Sequence, residues 1–303
     1  MRERLRAAHY LLTAVSNDIM TIHTNTSAPL VSVCIPCYKG AVHLGAAIES
    51  VLSQTYTNFE LIIIDDNSPD NTDEIVEGFS DPRIRYLKNQ HNLGPEGNWN
   101  RCLSEARGIY FKLLPQDDLI APTCLERQVT VLENDSEQQL ALVFCARTIL
   151  DARNRVVMTR GYRKKRDGVI PAATLISQCI RRGTNVIGEP GSVLFRRKSI
   201  EHAGQFDASI PYVLDVDYWV RLLRLGNAYY LAEPLASFRI SIGSWSVRIG
   251  ARQSLDYRLF INKLATDRHF ATRGYDVMIG KVMSKVNSFL RSAFYRVLAL
   301  HAA

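Results

Sequence analysis

From residue 31 onward, short apolar runs alternate with amphipathic segments. Val31-Ser32-Val33-Cys34-Ile35 reads as a strand halted by Pro36. Leu44, Ile48, Val51 and Leu52 share one face at helical spacing. Leu61 to Ile64 is a continuous apolar run that ends in Asp65-Asp66, the pattern of a strand buried on both faces of a parallel sheet. The same reading predicts a helix over 70–79, a third strand over 84–87, a helix over 96–107 and a fourth strand over 109–113. Strands alternating with helices at this spacing predict an α/β fold built on a doubly wound, mostly parallel sheet. Ligands bind such sheets beyond the carboxyl ends of the strands. Here those ends carry Pro36-Cys37-Tyr38, Asp65-Asp66-Asn67-Ser68 and Gln116-Asp117-Asp118.

Beyond residue 120 the rhythm changes. Leu140 to Cys145 is strand-like, and 148–150 with 156–158 fits a hairpin around Asp151 to Arg155. A helix is expected after Pro171, a strand over 191–195 and a helix over 215–225, so this half completes the sheet and adds a second binding surface. Residues 1–28 form an extension, with a short helix expected from Leu5 to Ile22. Residues 247–303 read as a C-terminal helical segment. There Val282, Val286, Phe289, Leu290, Ala293, Val297 and Leu300 share a face, opposite Lys281, Lys285, Ser288, Ser292 and Arg296. A basic amphipathic helix of this kind either packs on its own domain or lies on an anionic membrane.

Composition narrows this picture only a little. The 303 residues are 47% hydrophobic and 22% charged, enough for a sizeable core and unlike a disordered chain. The formal net charge of +7 suits nucleic acid, anionic lipid or phosphate-bearing ligands without choosing among them. A dense basic run spans Arg160, Arg163, Lys164, Lys165 and Arg166, and it offers a surface for an anionic acceptor such as a lipid-linked phosphate. The six cysteines sit largely in apolar stretches, which implies buried free thiols. Cys34 and Cys37 form a C-x-x-C, but no further ligands stand at zinc-binding spacing. No run reaches the ~18 apolar residues of a membrane span, and no compact apolar leader stands at the N-terminus. The expected location is cytoplasmic, with peripheral contact at the inner face of the membrane.

The candidate chemistry is acidic. Adjacent carboxylates such as Asp117 and Asp118 repel each other unless a cation sits between them and a ligand. Magnesium and manganese suit such oxygen donors and borrow others from substrate phosphates. The structural alternative is that Asp118 caps the following helix. Asp65-Asp66-Asn67-Ser68 fits turn and capping chemistry, or a carboxylate that accepts hydrogen bonds from a nucleoside. Asp215 and Asp217 favour the first turn of a helix electrostatically, or supply a general base.

Taken together and in order, these segments resemble family 2 glycosyltransferases, which have the GT-A fold. The resemblance runs from about Pro29 to Ser246, through "PLVSVCIPCYKGAVHLGAAIESVLSQTYTNFELIIIDDNSPDNT", "NLGPEGNWNRCLSEARGIYFKLLPQDDLIAP", "GSVLFRRKSIEHAGQFD" and "LDVDYWVRLLRLG". It implies a GT-A domain over 29–246, with a nucleotide-sugar half (29–120) and an acceptor half (121–246). It implies an inverting transfer from a nucleotide-diphosphate sugar, a UDP-sugar foremost, to the hydroxyl of a glycan or lipid-linked acceptor in cell-surface polysaccharide or glycolipid assembly. Pro36, Cys37 and Tyr38 then fall where the first strand meets the nucleotide, and Asp66, beside Asp65, where a carboxylate contacts the nucleoside. Asp117 and Asp118 fall on the D-x-D region that holds Mn2+ or Mg2+ and the diphosphate. Asp215 falls on the catalytic base, and Arg239 with Ser241 in a late segment that folds over the donor.

Two departures thin the expected metal site. Pro115 stands where the family often has an acid, and Ser241 where it often has a histidine. They motivate the alternative of a catalytically silent nucleotide-sugar-binding module on the same fold. No G-x-G-x-x-G follows the first strand, which argues against a dinucleotide oxidoreductase. Binding to nucleic acid rests on charge alone and is not expected.

Overall fold

The computed structural model describes residues 31–162, 166–240, 250, 252–267, 269–270 and 272–302. The expected N-terminal helix, residues 163–165 of the basic run and Ser241 lie outside the described residues.

The first half follows the alternation read from the sequence: β1 (Val31–Cys37), α1 (Leu44–Leu52), β2 (Phe59–Asp65), α2 (Thr72–Glu77), β3 (Ile84–Lys88), α3 (Gly94–Glu105) and β4 (Tyr110–Leu113). These strands pair in parallel in the order β3-β2-β1-β4. The apolar runs are continuous because both faces of the sheet are covered. Val33 and Ile35 enter one core cluster with Leu61 and Ile63, while Cys34 enters the other with Ile62 and Ile64. Successive side chains point to opposite faces, so a strand between two cores needs apolar residues at every position.

The second half comprises β5 (Leu119–Ile120), α4 (Cys124–Glu133), β6 (Leu140–Leu150), β7 (Val156–Arg160), β8 (Gly168–Ile170), α5 (Ala172–Arg182), β9 (Val193–Arg196), α6 (Ile200–Ala203), α7 (Leu214–Leu222) and β10 (Asn227–Arg239). It extends the sheet as β4-β9-β6-β10-β5. β9 runs antiparallel to both β4 and β6, which leaves β6 and β10 parallel to the first four strands. This is the expected mostly parallel α/β sheet flanked by helices. The two pieces expected at 140–145 and 148–150 are one strand of 11 residues, and β7 returns along it as the expected hairpin. β1 does not stop at Pro36: Pro36 pairs with Ile64 and Cys37 with Asp65, so the strand continues to Cys37.

The C-terminal segment forms α8 (Arg252–Thr266) and α9 (Gly274–Ala302). α5 ends at Gly183, whose positive φ of 58° permits the left-handed cap. A Cβ there would strike the backbone of Ser284, and one at Gly280 would strike the carbonyl of Ile180. α9 therefore crosses α5 at backbone contact. Asn287 locks the crossing by donating from Nδ2 to the Arg182 carbonyl at 2.6 Å.

Candidate active site

The acidic strand ends fall into two environments. At the end of β2 the carboxylates are spent on the protein. Asp65 is fully buried and accepts the N–H and hydroxyl of Ser68 and the hydroxyl of Tyr86. Asp66, 2% exposed, accepts Asn89 Nδ2 (2.6 Å), Leu93 N–H (2.7 Å) and Gly94 N–H (2.9 Å), and so fixes the loop that starts α3. These bonds match the turn reading of this segment.

The β1 end also differs from expectation. Pro36 and Cys37 are buried inside the strand, and only Tyr38 reaches the surface. The Cys37 thiol donates to the Ile64 carbonyl at 3.5 Å, and burial drives its pKa far up, so it is not a reactive thiol. All six cysteines are free and buried.

Asp117 and Asp118 occupy the turn between β4 and β5, closed by a hydrogen bond from Asp118 N–H to the Pro115 carbonyl (3.0 Å). Asp118 does not cap α4. Its carboxylate is 1% exposed and accepts the Arg239 N–H at 2.9 Å. Arg239 was expected to reach the donor, but its side chain is buried beneath this turn. Its guanidinium donates to the Asp117 carbonyl (2.8 Å), to the side chain of Asn154 and to the Asp151 carbonyl (3.4 Å). It positions the aspartate turn. Burial raises the pKa of both carboxyls, and at Asp118 the neighbouring Asp117 charge adds to it. Two carboxylates under mutual strain, with oxygen donors only, fit a hard divalent cation that takes its remaining ligands from phosphate and water. Among the described residues no group of three His, Cys, Asp or Glu could hold a metal ion.

Across a cavity of about 390 Å³ stands Asp215, at the start of α7. Asn185 holds it. The amide oxygen of Asn185 accepts the N–H groups of Ile187 and Gly188 (both 3.0 Å), which leaves Nδ2 to donate to Asp215 at 2.9 Å. Val216 N–H donates to the other carboxylate oxygen at 2.6 Å. α7 is fixed in turn by Tyr218 stacked on Phe206 (4.1 Å between centroids) and by Trp219 Nε1 donating to the Gly188 carbonyl at 3.2 Å. Burial, with the Glu189 charge adding to it, outweighs the Val216 and Asn185 hydrogen bonds and pushes the Asp215 pKa up to about 7. Asp217, one turn face away, is paired with Arg221 (2.9 Å) and Lys263 (2.8 Å). It belongs to the packing of α8, not to the cavity.

The cavity thus gathers Asp117, Asp118 and Asp215, but none of Pro36, Cys37, Tyr38, Asp65, Asp66 or Arg239. It also contains residues the sequence reading missed: Arg147, Asn185, Glu189 and Arg291. Glu189 is ion-paired with buried Arg147. Arg147 left a usable trace, a lone charge inside the apolar run of β6. Asn185 and Glu189 lie in a loop with no periodic pattern, and Arg291 joins only because α9 folds back. Desolvation and the charges of Arg147 lower the pKa of Arg160, which lines the same wall; Arg291 adds to that repulsion.

Comparison with known proteins identifies the family and the fold. The family described as "Glycosyl transferase family 2" matches residues 32–203. The chain is 30% identical over 256 residues to the uncharacterised protein MT1568 of Mycobacterium tuberculosis, covering 81% of this chain and 79% of that one. It is 32% identical over 220 residues to the uncharacterised glycosyltransferase RT0329 of Rickettsia typhi, covering 71% and 65%. Over 103 residues (34% of this chain, 41% of the other) it is 41% identical to the Escherichia coli UDP-Glc:alpha-D-GlcNAc-diphosphoundecaprenol beta-1,3-glucosyltransferase WfgD. Among solved structures, Staphylococcus aureus TarS 1-349 in complex with UDP-GlcNAc superposes with a TM-score of 0.63 at 16% identity, covering 84% of this chain and 71% of that one. The Pyrobaculum calidifontis mannosyltransferase PcManGT, in complex with GDP-Man and Mn2+, gives 0.59 at 15% identity, covering 92% and 77%. The fold is that of the GT-A glycosyltransferases, and the chain belongs to glycosyltransferase family 2.

Proposed function

We propose that this chain is an inverting glycosyltransferase that moves a sugar from a nucleoside-diphosphate donor, a UDP-sugar foremost, to the hydroxyl of a lipid-linked glycan acceptor. The observation that carries the proposal is that Asp117, Asp118 and Asp215 line one cavity although they lie about a hundred residues apart in sequence. In this reading residues 29–120 hold the nucleotide and 121–246 receive the acceptor.

Asp117 and Asp118 would hold Mn2+ or Mg2+ against the donor diphosphate. When bound, the ion offsets the charge that builds on the departing diphosphate. Asp215 does the proton chemistry. Its carboxylate accepts the proton of the acceptor hydroxyl as that oxygen bonds to the anomeric carbon and the bond to the diphosphate breaks on the opposite face. One displacement inverts the centre and needs no covalent enzyme intermediate. A carboxyl with a pKa of about 7 is a stronger base than an ordinary aspartate and is about half ionised at neutral pH. Asn185 keeps it aimed into the cavity.

The relatives favour UDP, since WfgD is named for UDP-Glc and TarS was solved with UDP-GlcNAc, while PcManGT was solved with GDP-Man. Arg160 and Arg291 add positive charge to the cavity beyond the Arg147–Glu189 pair, which favours an acceptor that carries phosphate. WfgD, by its name, acts on a diphosphoundecaprenol-linked sugar.

A thermal-shift screen of nucleotide sugars with and without Mn2+ tests the reading, because a ligand that binds only the folded state raises its melting temperature. A metal-dependent shift with one nucleoside diphosphate is expected. No shift with any nucleotide sugar would sink the proposal.

A further inference from the structure

We infer that α9 is a membrane-docking helix: its outward apolar stripe, edged by lysines, seats the chain on an anionic lipid surface with the cavity mouth beside the bilayer. The sequence pattern left two uses open for this stripe, and the structure separates them. The fully buried residues along the middle of α9 are small or polar: Gly280, Ser284 and Ser288 lie against α5 and its surroundings, with Val277 packed at the edge of the core. Four apolar residues point the other way. Met278 is 66% exposed, Val282 58%, Val286 41% and Phe289 73%. They recur every three or four residues, so they form one continuous stripe along the helix. A water-soluble surface helix has the reverse arrangement, and a long exposed apolar stripe marks a surface that something covers.

Charge identifies the occupant as anionic lipid. Lys281 and Lys285 flank the stripe along one edge, and Asp276, the sole acidic residue between Gly274 and Ala302, is buried and paired with Arg181. Phe and Val on one side with lysines beside them is the composition of a helix lying in a bilayer interface. At 29 residues the helix is about 44 Å long, enough to lie along the surface. No helix among the described residues is long and apolar enough to cross a membrane. The stripe also borders the chemistry. The next face of α9 places Leu290, Arg291 and Phe294 in the cavity wall, so a docked helix brings the cavity to the depth of lipid headgroups. Only this last consequence rests on the glycosyltransferase reading; docking itself does not.

The test is flotation of the full chain with phosphatidylcholine vesicles, with and without about a third phosphatidylglycerol. Three proteins are compared: wild type, the combined Val282→Ser, Val286→Ser and Phe289→Ser variant, and the combined Lys281→Glu and Lys285→Glu variant. Wild type is expected to float with anionic vesicles and to be released by salt. The apolar variant should lose at least about tenfold in vesicle affinity and the charge variant should lose the preference for anionic lipid. Melting temperature and the thermal shift with UDP-sugar should stay at wild-type values in both, since none of the five residues lines the cavity. Wild type that fails to float at low salt overturns the inference. So does an apolar variant that floats as well as wild type, or a stripe whose only measurable effect is on self-association in size-exclusion chromatography. Floating without a shift for any nucleotide sugar would sink the catalytic proposal and leave docking intact, and the converse result would do the opposite.

Discussion

Asp66 at the end of β2 and Asp215 at the start of α7 are both acidic, both withdrawn from water and both within the family match or its immediate continuation, yet their surroundings differ in kind. Asp66 accepts three hydrogen bonds from Asn89, Leu93 and Gly94; its removal would orphan the Leu93 N–H and leave Asn89 and Gly94 with only their longer bonds to Asn98 and Asn92. Asp215 has two partners, faces a cavity, and is held by burial at a pKa of about 7. A saturated carboxylate maintains the shape of a loop. An undersatisfied one stores a demand for a proton or a cation that a ligand can meet. Asp117 and Asp118 belong to the second kind, since burial raises the pKa of both even with the Arg239 charge acting the other way.

The sharpest way to break this contrast is Asp215→Asn. Transfer should fall by about a thousandfold, the range for loss of a general base, while the fold persists. The stability change carries its own sign. Folding raises this pKa, so the folded state favours the protonated carboxyl. The cost of ionising it is absent below about pH 4, grows as the pH rises toward about 7 and is complete above that. Asp215→Asn should therefore gain about 1–3 kcal/mol at about pH 8 and almost nothing at about pH 4. Urea melts at the two pH values check it, and an equal loss at both would show that Asp215 is a structural residue like Asp66. Wild-type kcat should rise with pH through about 7, because only the ionised carboxylate accepts the acceptor proton.

Asp118→Asn is next in size. The Arg239 N–H keeps an amide oxygen to donate to, so the turn should survive. Transfer should fall by about a hundredfold and the Mn2+-dependent thermal shift with nucleotide sugar should disappear. A shift that persists would move the metal site elsewhere. Asp66→Ala should behave in the opposite manner. It should cost about 1–3 kcal/mol of stability, chiefly from the orphaned Leu93 N–H, measured by urea unfolding. A stable Asp66→Ala protein that had lost only donor affinity would restore the nucleoside-contacting role that the family resemblance gave it.

Asn185→Ala tests how the base is held. The lost hydrogen bond is one that lowers the Asp215 pKa, so the acidic limb of the rate profile should move to higher pH and the rate near neutrality should drop several-fold. A purely structural role would lower the rate equally at every pH.

Period explains how much of this was readable in advance. Strands β1, β2 and β4 lie between two cores, so their apolar runs announce them, and the acidic ends at Asp65-Asp66 and Asp117-Asp118 follow from where those runs stop. The reversed strand β9 left its run but not its direction, since direction is set by the 3₁₀ turn at Pro190–Ser192 and not by periodicity. The amphipathic pattern of α9 was visible, but which side faced the domain depended on Gly183 and Gly280 permitting backbone contact. Glu189 and Asn185 reach Asp215 through a loop whose shape is fixed by Asn185's own amide, a local hydrogen bond that no spacing rule signals.

The smallest predicted effect concerns the seam between the two kinds of region. Gln116, beside the aspartate turn, accepts the Tyr38 N–H at 2.8 Å and donates to the Tyr38 carbonyl at 3.0 Å, tying the end of β1 to the turn that carries Asp117. Gly40 has no side chain at the point where a Cβ would lie 2.5 Å from Gln116 Oε1. Gln116→Ala should cost about 1 kcal/mol and raise KM for the donor a few-fold with little change in kcat. Gly40→Ala should do much the same by pushing the amide out of its clamp. If one clamp underlies both effects, the double variant will lose no more than the worse single variant, since two changes that remove one interaction cannot add. Full additivity in donor KM would mean that Gly40 acts on the nucleotide directly, and that the β1 end contributes to the site independently of the Asp117–Asp118 turn.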